Sequence, residues 1–448
     1  MRGTIRTGSF LLSGLLTVAG SSWAAALSGR QVTFFKDVAP IFQAKCQDCH
    51  RKGSMAPMSL MTYEETRPWA KAIREKVLTR QMPPWHIDKT VGIQHFANDI
   101  SLSDQQIATI VNWVDAGAPQ GDPKDMPPPR QFPNYDGWQL AKEFGQPELI
   151  LKSDDYTMPA HGQDVWFKPY TAIPITEPRW VRAVEIRPGT SSGRRIMHHV
   201  LARLQQNEPG AAAEDGNDPN AGPGLLMEWA IGKNYDVYRH DSGKLLLPGS
   251  HIWWELHLHA VGEQIRDHAE LGVYLYPKGE VPAHRTRLMI FNATATGDGG
   301  AILDIKPNSI SETQGFHVLR QNARLENFQP HMHLRGKAMA MEAILPDGRR
   351  EMLSYVDHFN FNWMINYIYA DDAAPVLPKG TVIHVTAWHD NTAANKNNPD
   401  PNQWVGFGDR TVDEMAHAWV NVTYLSDEEY KQWQEQHKAK QPTAVASR

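Results

Sequence analysis

The chain has 448 residues, of which 41% are hydrophobic and 21% charged, with a formal net charge of −5. That length calls for two or three domains, and the composition is that of a folded globular protein rather than a disordered or fibrous one. The mild charge excludes a nucleic-acid footprint and a polybasic membrane-binding face.

Residues 1–26 read as a secretory leader. Arg2 and Arg6 precede the apolar run from Phe10 to Ala19, and small residues follow at Ala24, Ala25 and Ala26. A positive start, a short apolar core and an A-x-A-like site predict cleavage near Ala24 or Ala26. The alternative is an uncleaved anchor, but the run is shorter than the roughly 20 residues a span needs. No later run approaches that length, so a periplasmic or secreted protein without a membrane span is expected after cleavage.

Residues 31–120 read as a small helical domain. Val38, Ile41 and Phe42 lead into Cys46-Gln47-Asp48-Cys49-His50, and these two cysteines are the only ones in the chain. C-x-x-C-H is the attachment signature of a c-type haem: two thioethers fix the porphyrin and the adjoining histidine ligates the iron. A thioredoxin-like redox pair is the rival, without a βαβ pattern around it. Further helices are predicted over Tyr63–Leu78 and from Asp104, the last ending at Gly117-Ala118-Pro119. The expected unit is an all-α cytochrome c. For the second axial ligand Met82, in Gln81-Met82-Pro83-Pro84, is the first choice. Met55, Met58 and Met61 stand close to the haem motif, and His86 or His95 would give a bis-His iron.

The Pro-rich stretch 121–146 reads as an extended, semi-rigid spacer. From about 147 short runs such as Trp180–Ile186, His251–Leu256, Leu271–Tyr276 and Val382–Trp388 are bounded by Gly, Pro and Asn. These are strands at all-β spacing, which predicts two sandwiches, over 147–300 and 301–428, followed by a polar tail over 429–448.

The chain has 20 histidines, several in clusters: His198-His199, His257-Leu258-His259 and His331-Met332-His333. Residues i and i+2 on a strand share a face, so His331 and His333 can chelate one ion. Adjacent histidines on a regular strand point to opposite faces, so His198 and His199 can share a metal only on a distorted backbone or through different ring nitrogens. Imidazole suits copper and zinc, and a thioether selects Cu(I), so histidines with Met415 lean towards copper. Spacing leaves His257 and His259 equally eligible. His161, His251, His317, His358, His384 and His389 read as surface or hydrogen-bonded residues.

Four of these stretches, in order, resemble the copper type II, ascorbate-dependent monooxygenases. They run from Asp164-Val165 to His198-His199-Val200, from Leu247-Pro248-Gly249 to His257-Leu258-His259, over Pro330–Gly336, and from Gly406-Phe407-Gly408 to Asp413-Glu414-Met415. The whole chain is similar to bacterial members with a cytochrome c domain in front. The resemblance implies two jelly-roll-like sandwiches with one copper each, facing across a solvent cleft. It assigns His198, His199 and His257 to one copper and His331, His333 and Met415 to the other. The implied reaction is hydroxylation of an activated C–H bond of a small organic substrate by O2. Electrons would come from ascorbate or a periplasmic carrier, with the haem relaying them to the all-histidine copper. A non-catalytic copper and haem electron carrier is the alternative. The carboxylate clamp of the amidating enzymes is replaced by Gln329, His417 and Trp419, which argues against a peptidylglycine substrate. Trp404 and Trp419 suggest either an aromatic substrate or ordinary packing.

Overall fold

The computed structural model describes residues 30–52, 54, 56–132, 137–207, 224–230, 233–293 and 303–438. The expected leader, Met55 and the end of the expected polar tail lie outside the described residues. Among the described residues no helix is long and apolar enough to cross a membrane. The chain is mostly β-sheet with few helices, and its strands enclose two cores.

In the first sandwich one layer centres on the Arg179–Pro188 strand, flanked by Ala269–Leu275 and Ser242–Leu246. The other centres on Met197–Gln205, between Gly224–Ala230 and His251–Leu258. Alternation sorts the side chains of His251–Leu258: Ile252, Trp254, Leu256 and Leu258 enter the core, so His257 stands on the opposite face. That face meets the second sandwich.

The second sandwich packs a four-stranded sheet, Ile310–Val318, Val382–Asp390, Gly336–Ile344 and Arg350–Val356, against a layer centred on His417–Leu425. Asn322–Leu325, Asn327–His331 and His284–Asn292 all pair with that central strand. The last of these also touches Gly224–Ala230 and runs parallel to Ser242–Leu246, so hydrogen-bonded pairing continues from one sandwich into the other. Phe291 and Ala293 enter the second core. The His284–Asn292 strand, on the first-sandwich side of the boundary expected at 300, thus pairs along its length with His417–Leu425 and joins the two sheets.

Four α-helices, Ala39–Lys45, Tyr63–Thr66, Ala70–Leu78 and Asp104–Asp115, gather around Phe34, Phe42, Ile73, Ile110 and Trp113. Capping boxes at Thr62/Glu65 and Ser103/Gln106 start two of them. The expected 31–120 unit is not continuous, however. Between the third and fourth of these helices the chain leaves the cluster, and Trp85, Ile87 and Phe96 are buried in the core of the second sandwich. Three large apolar side chains in a stretch without helical spacing could be covered only by another unit.

The 121–146 stretch is not a free spacer either. Gln43 Nε2 donates to Pro128 O, Arg130 donates to Gln43 O, and Gln139 and Leu140 N–H donate to the buried carboxylate of Glu185. The expected tail likewise begins as a helix, Asp427–Lys438, started by a reciprocal Ser426–Glu429 cap.

Candidate metal centre

His257 ends the straight part of its strand. It pairs with His199, yet Leu258 pairs with Met197, so His198 is an extra residue in the Met197–Gln205 strand. This bulge reverses the alternation for one step. Met197 and Val200 both enter the first core, and His198 and His199 between them both face the second sandwich. The distorted backbone that the adjacent pair required is present.

The consequence is convergence of three ring nitrogens. His198 Nδ1 lies 3.1 Å from His199 Nδ1, and His257 Nδ1 lies 3.4 Å from the same atom. Two nitrogens bound about 2.0–2.1 Å from a tetrahedral ion stand roughly 3.3 Å apart, so the separations fit one metal ion. Burial pushes the His198 imidazole down to about 3 and His199 well below its ordinary value, which leaves both rings uncharged at neutral pH. Three imidazole nitrogens meeting at these separations form a donor set suited to one metal ion. His257 Nε2 is taken by Asp164 Oδ2 at 2.8 Å, the outer contact that fixes a ligating histidine's tautomer and orientation. Trp166 stacks on the His257 ring at 4.3 Å. His259 lies beyond the strand end, its ring 6.5 Å from His198, and is outside the triad.

The Asn327–His331 strand ends at the first histidine of the H-x-H pair, and the His331 and His333 ring centroids lie 5.4 Å apart, while Met332 between them enters the core. His333 Nδ1 donates to Asp413 O at 3.0 Å, which leaves Nε2 for a metal. Glu414 is fully buried and accepts from His333 N–H at 2.9 Å and Arg335 N–H at 2.6 Å. His389 Nε2 donates to Met415 O at 3.1 Å. These bonds tie the Met415 turn to the H-x-H segment, and the Met415 side chain is buried there. The thioether on His331 itself is that of Met364, with Sδ 3.2 Å from Nδ1. Met364 carried no signal in the sequence, since it stands on a loop 33 residues away.

The two histidine sets adjoin. His199 and His331 have ring centroids 6.1 Å apart, and Phe361 stacks on His198 at 4.7 Å while meeting His333 edge-on at 6.1 Å. Where the resemblance implies open solvent between the sandwiches, Phe361 lies against one histidine of each set, and Phe361 and Met364 pack with Ala230 of the first sandwich. Trp419 is buried and stacks on His331 at 4.3 Å, so its aromatic face is used internally. Trp404 is exposed elsewhere, bonded to Asp304. Gln329 belongs to a buried network, donating to Glu228 Oε2 at 2.7 Å and accepting from Lys233 Nζ at 3.1 Å.

In the helical unit Cys46 and Cys49 are free thiols on one turn. Burial pushes them up to about 12 and about 11. His50 Nδ1 donates to Met58 O at 3.2 Å, which presents Nε2 as a metal donor and places Met58 behind the ring. Met82 stands in the turn after the Ala70–Leu78 helix, its N–H bonded to Lys76 O.

No protein-family model and no curated protein matches the chain. Among solved structures it is similar to the major capsid protein P2 from bacteriophage PM2, at 11% identity over 63% of this chain and 99% of that one, TM-score 0.27. It is also similar to a structure of infectious bursal disease virus Gx strain, at 10% identity over 63% and 71%, TM-score 0.17. Such scores carry no argument about this protein.

Proposed function

We propose that the chain is an exported copper-dependent monooxygenase that hydroxylates an activated C–H bond with O2 and receives electrons through a covalently attached haem c. The observation that carries this reading is the bulge-enabled meeting of His198, His199 and His257 Nδ1 atoms beside the His331-Met332-His333 segment. One copper would be held by the triad, the other by His331, His333 and Met415, and the haem by Cys46, Cys49, His50 and Met82. The copper ions supply one-electron redox chemistry and O2 activation when bound.

The chain's own residues supply positioning. Asp164 and the Asp413 carbonyl each hold one nitrogen of a histidine so that the other is bare. Trp166 and Trp419 fix ring planes by stacking. Phe361 packs against one ring of each set. The overall conversion takes a substrate C–H, O2, two electrons and two protons to an alcohol and water, and the haem-binding unit offers the electrons a covalently attached entry. Since Phe361 lies against a histidine of each set, where a substrate would need space, a second reading stands beside it: a copper and haem electron-transfer protein with no substrate.

Metal analysis of the exported protein should find one iron and two coppers per chain, and the copper-loaded form should consume O2 with ascorbate and an aromatic substrate, yielding a hydroxylated product. His199→Ala and His331→Ala should each abolish product. Full metal content without product formation would favour the carrier; failure to retain copper would remove both readings.

A further inference from the structure

The stretch that leaves the helical cluster is stitched to the second sandwich. Asp88, Ile93 and Ala97 N–H donate to Tyr355, Leu353 and Ile368 carbonyls, and Ala370 N–H donates back to His95 O. Asn98 bonds Asn366 O at 2.7 Å and Ile368 N at 3.0 Å. At the start of this stretch, three residues after Met82, Trp85 is buried with its ring 4.8 Å from Tyr367. The Tyr367 hydroxyl accepts from His86 N–H at 3.1 Å. Three residues before Tyr367 comes Met364, whose sulfur touches His331 Nδ1. Two short runs of chain, 82–85 and 364–367, and two side-chain contacts thus connect the segment expected to ligate haem with the H-x-H segment.

We propose that Trp85, Tyr367 and Met364 form the electron path from the haem-binding unit, and that it enters the copper centre at His331 rather than at the His198, His199 and His257 triad. The proposal rests on the haem and copper reading above. One electron leaves reduced haem iron, and a copper(II) ion at the His331 set is reduced to copper(I). A π-system at positions 85 and 367 and a polarisable sulfur at 364 are the groups in this stretch suited to carry it.

The test uses the full chain with haem and copper bound, both oxidised and free of O2. A flash-reduced free flavin places one electron on the haem, and its departure is followed by haem absorption. Tyr367→Leu and Met364→Leu should lose the fast phase, whereas Tyr367→Phe, which keeps the ring but not the hydroxyl, should retain it. Haem midpoint potential should not change in any variant, copper content should not change in the Tyr367 variants, and Met364→Leu is read after copper is restored to full occupancy. Retention of the fast phase in both leucine variants at full metal content would overturn the path. Iron and copper analysis before the flash separates that outcome from failure of the underlying reading, in which one of the metals is missing from the wild-type chain.

Discussion

Asp164 acts on the first histidine set without being expected to touch a metal. Its carboxylate is held below the usual range, first by the His257 hydrogen bond, and this same contact leaves Nδ1 of that ring bare. Removing such an outer partner costs on the order of 10- to 100-fold in metal affinity. Asp164→Ala should therefore weaken copper binding at the triad by about that factor and leave the His331 set untouched. Competition against a chelator of known affinity measures this, and two unchanged binding constants would show that His257 is oriented by other means. Glu414 plays the corresponding part in the second set through the backbone, by holding His333 and Arg335 N–H groups. The candidate ligands were legible in the sequence because C-x-x-C-H and H-x-H are local patterns with direct geometric meaning. It gave Asp164 and Glu414 no role, because an outer contact depends on which loops meet in space.

At the scale of elements, regular strands were legible and their irregularities were not. Alternation predicted that His331 and His333 share a strand face; the strand ends at His331, and the two rings stand 5.4 Å apart across the segment that follows it. The same rule separates His198 from His199, and only the extra residue in the Met197–Gln205 strand brings them together; the bulge depends on pairing with a strand about 50 residues further on. The loop that covers both sets, over 357–366, has no periodicity to announce it. Its Phe361 ring stands between His198 and His333, so Phe361→Ala should open a path to both. The expected outcome is binding of azide by the copper(II)-loaded variant, read as a new charge-transfer absorption, under conditions where the wild type binds little. Equal azide binding would mean that small ligands already reach the metals by another route. The variant should also lose about 3–5 kcal/mol of stability, as buried Phe→Ala changes do.

The whole molecule is held together behind its histidines by charge as well as by strand pairing. Glu228 and Lys233 of the first sandwich meet Gln329 of the second in a fully buried network, with Asp236 3.3 Å from Lys233 Nζ. Lys244 is buried nearby, its Nζ on Leu226 O. Burial pushes Glu228 up to about 7 and Lys244 down to about 7. Glu228 binds more protons in the folded state than in the unfolded one between its ordinary value and pH 7, so stability falls as pH rises through that window. Lys244 binds fewer protons folded than unfolded above pH 7, so stability rises again towards the ordinary lysine range. The buried histidines, whose imidazoles burial pushes down, act in the opposite sense on the acid side, so the two groups are read from differences between variant and wild type. Relative to the metal-free wild type, Glu228→Gln, which can still accept from Gln329, should gain stability as pH rises towards 7 and hold level above it. Lys244→Met should lose stability relative to wild type as pH rises above 7. Parallel pH profiles for wild type and Glu228→Gln would mean that this carboxylate titrates alike folded and unfolded, and that the joint between the sandwiches stores no proton.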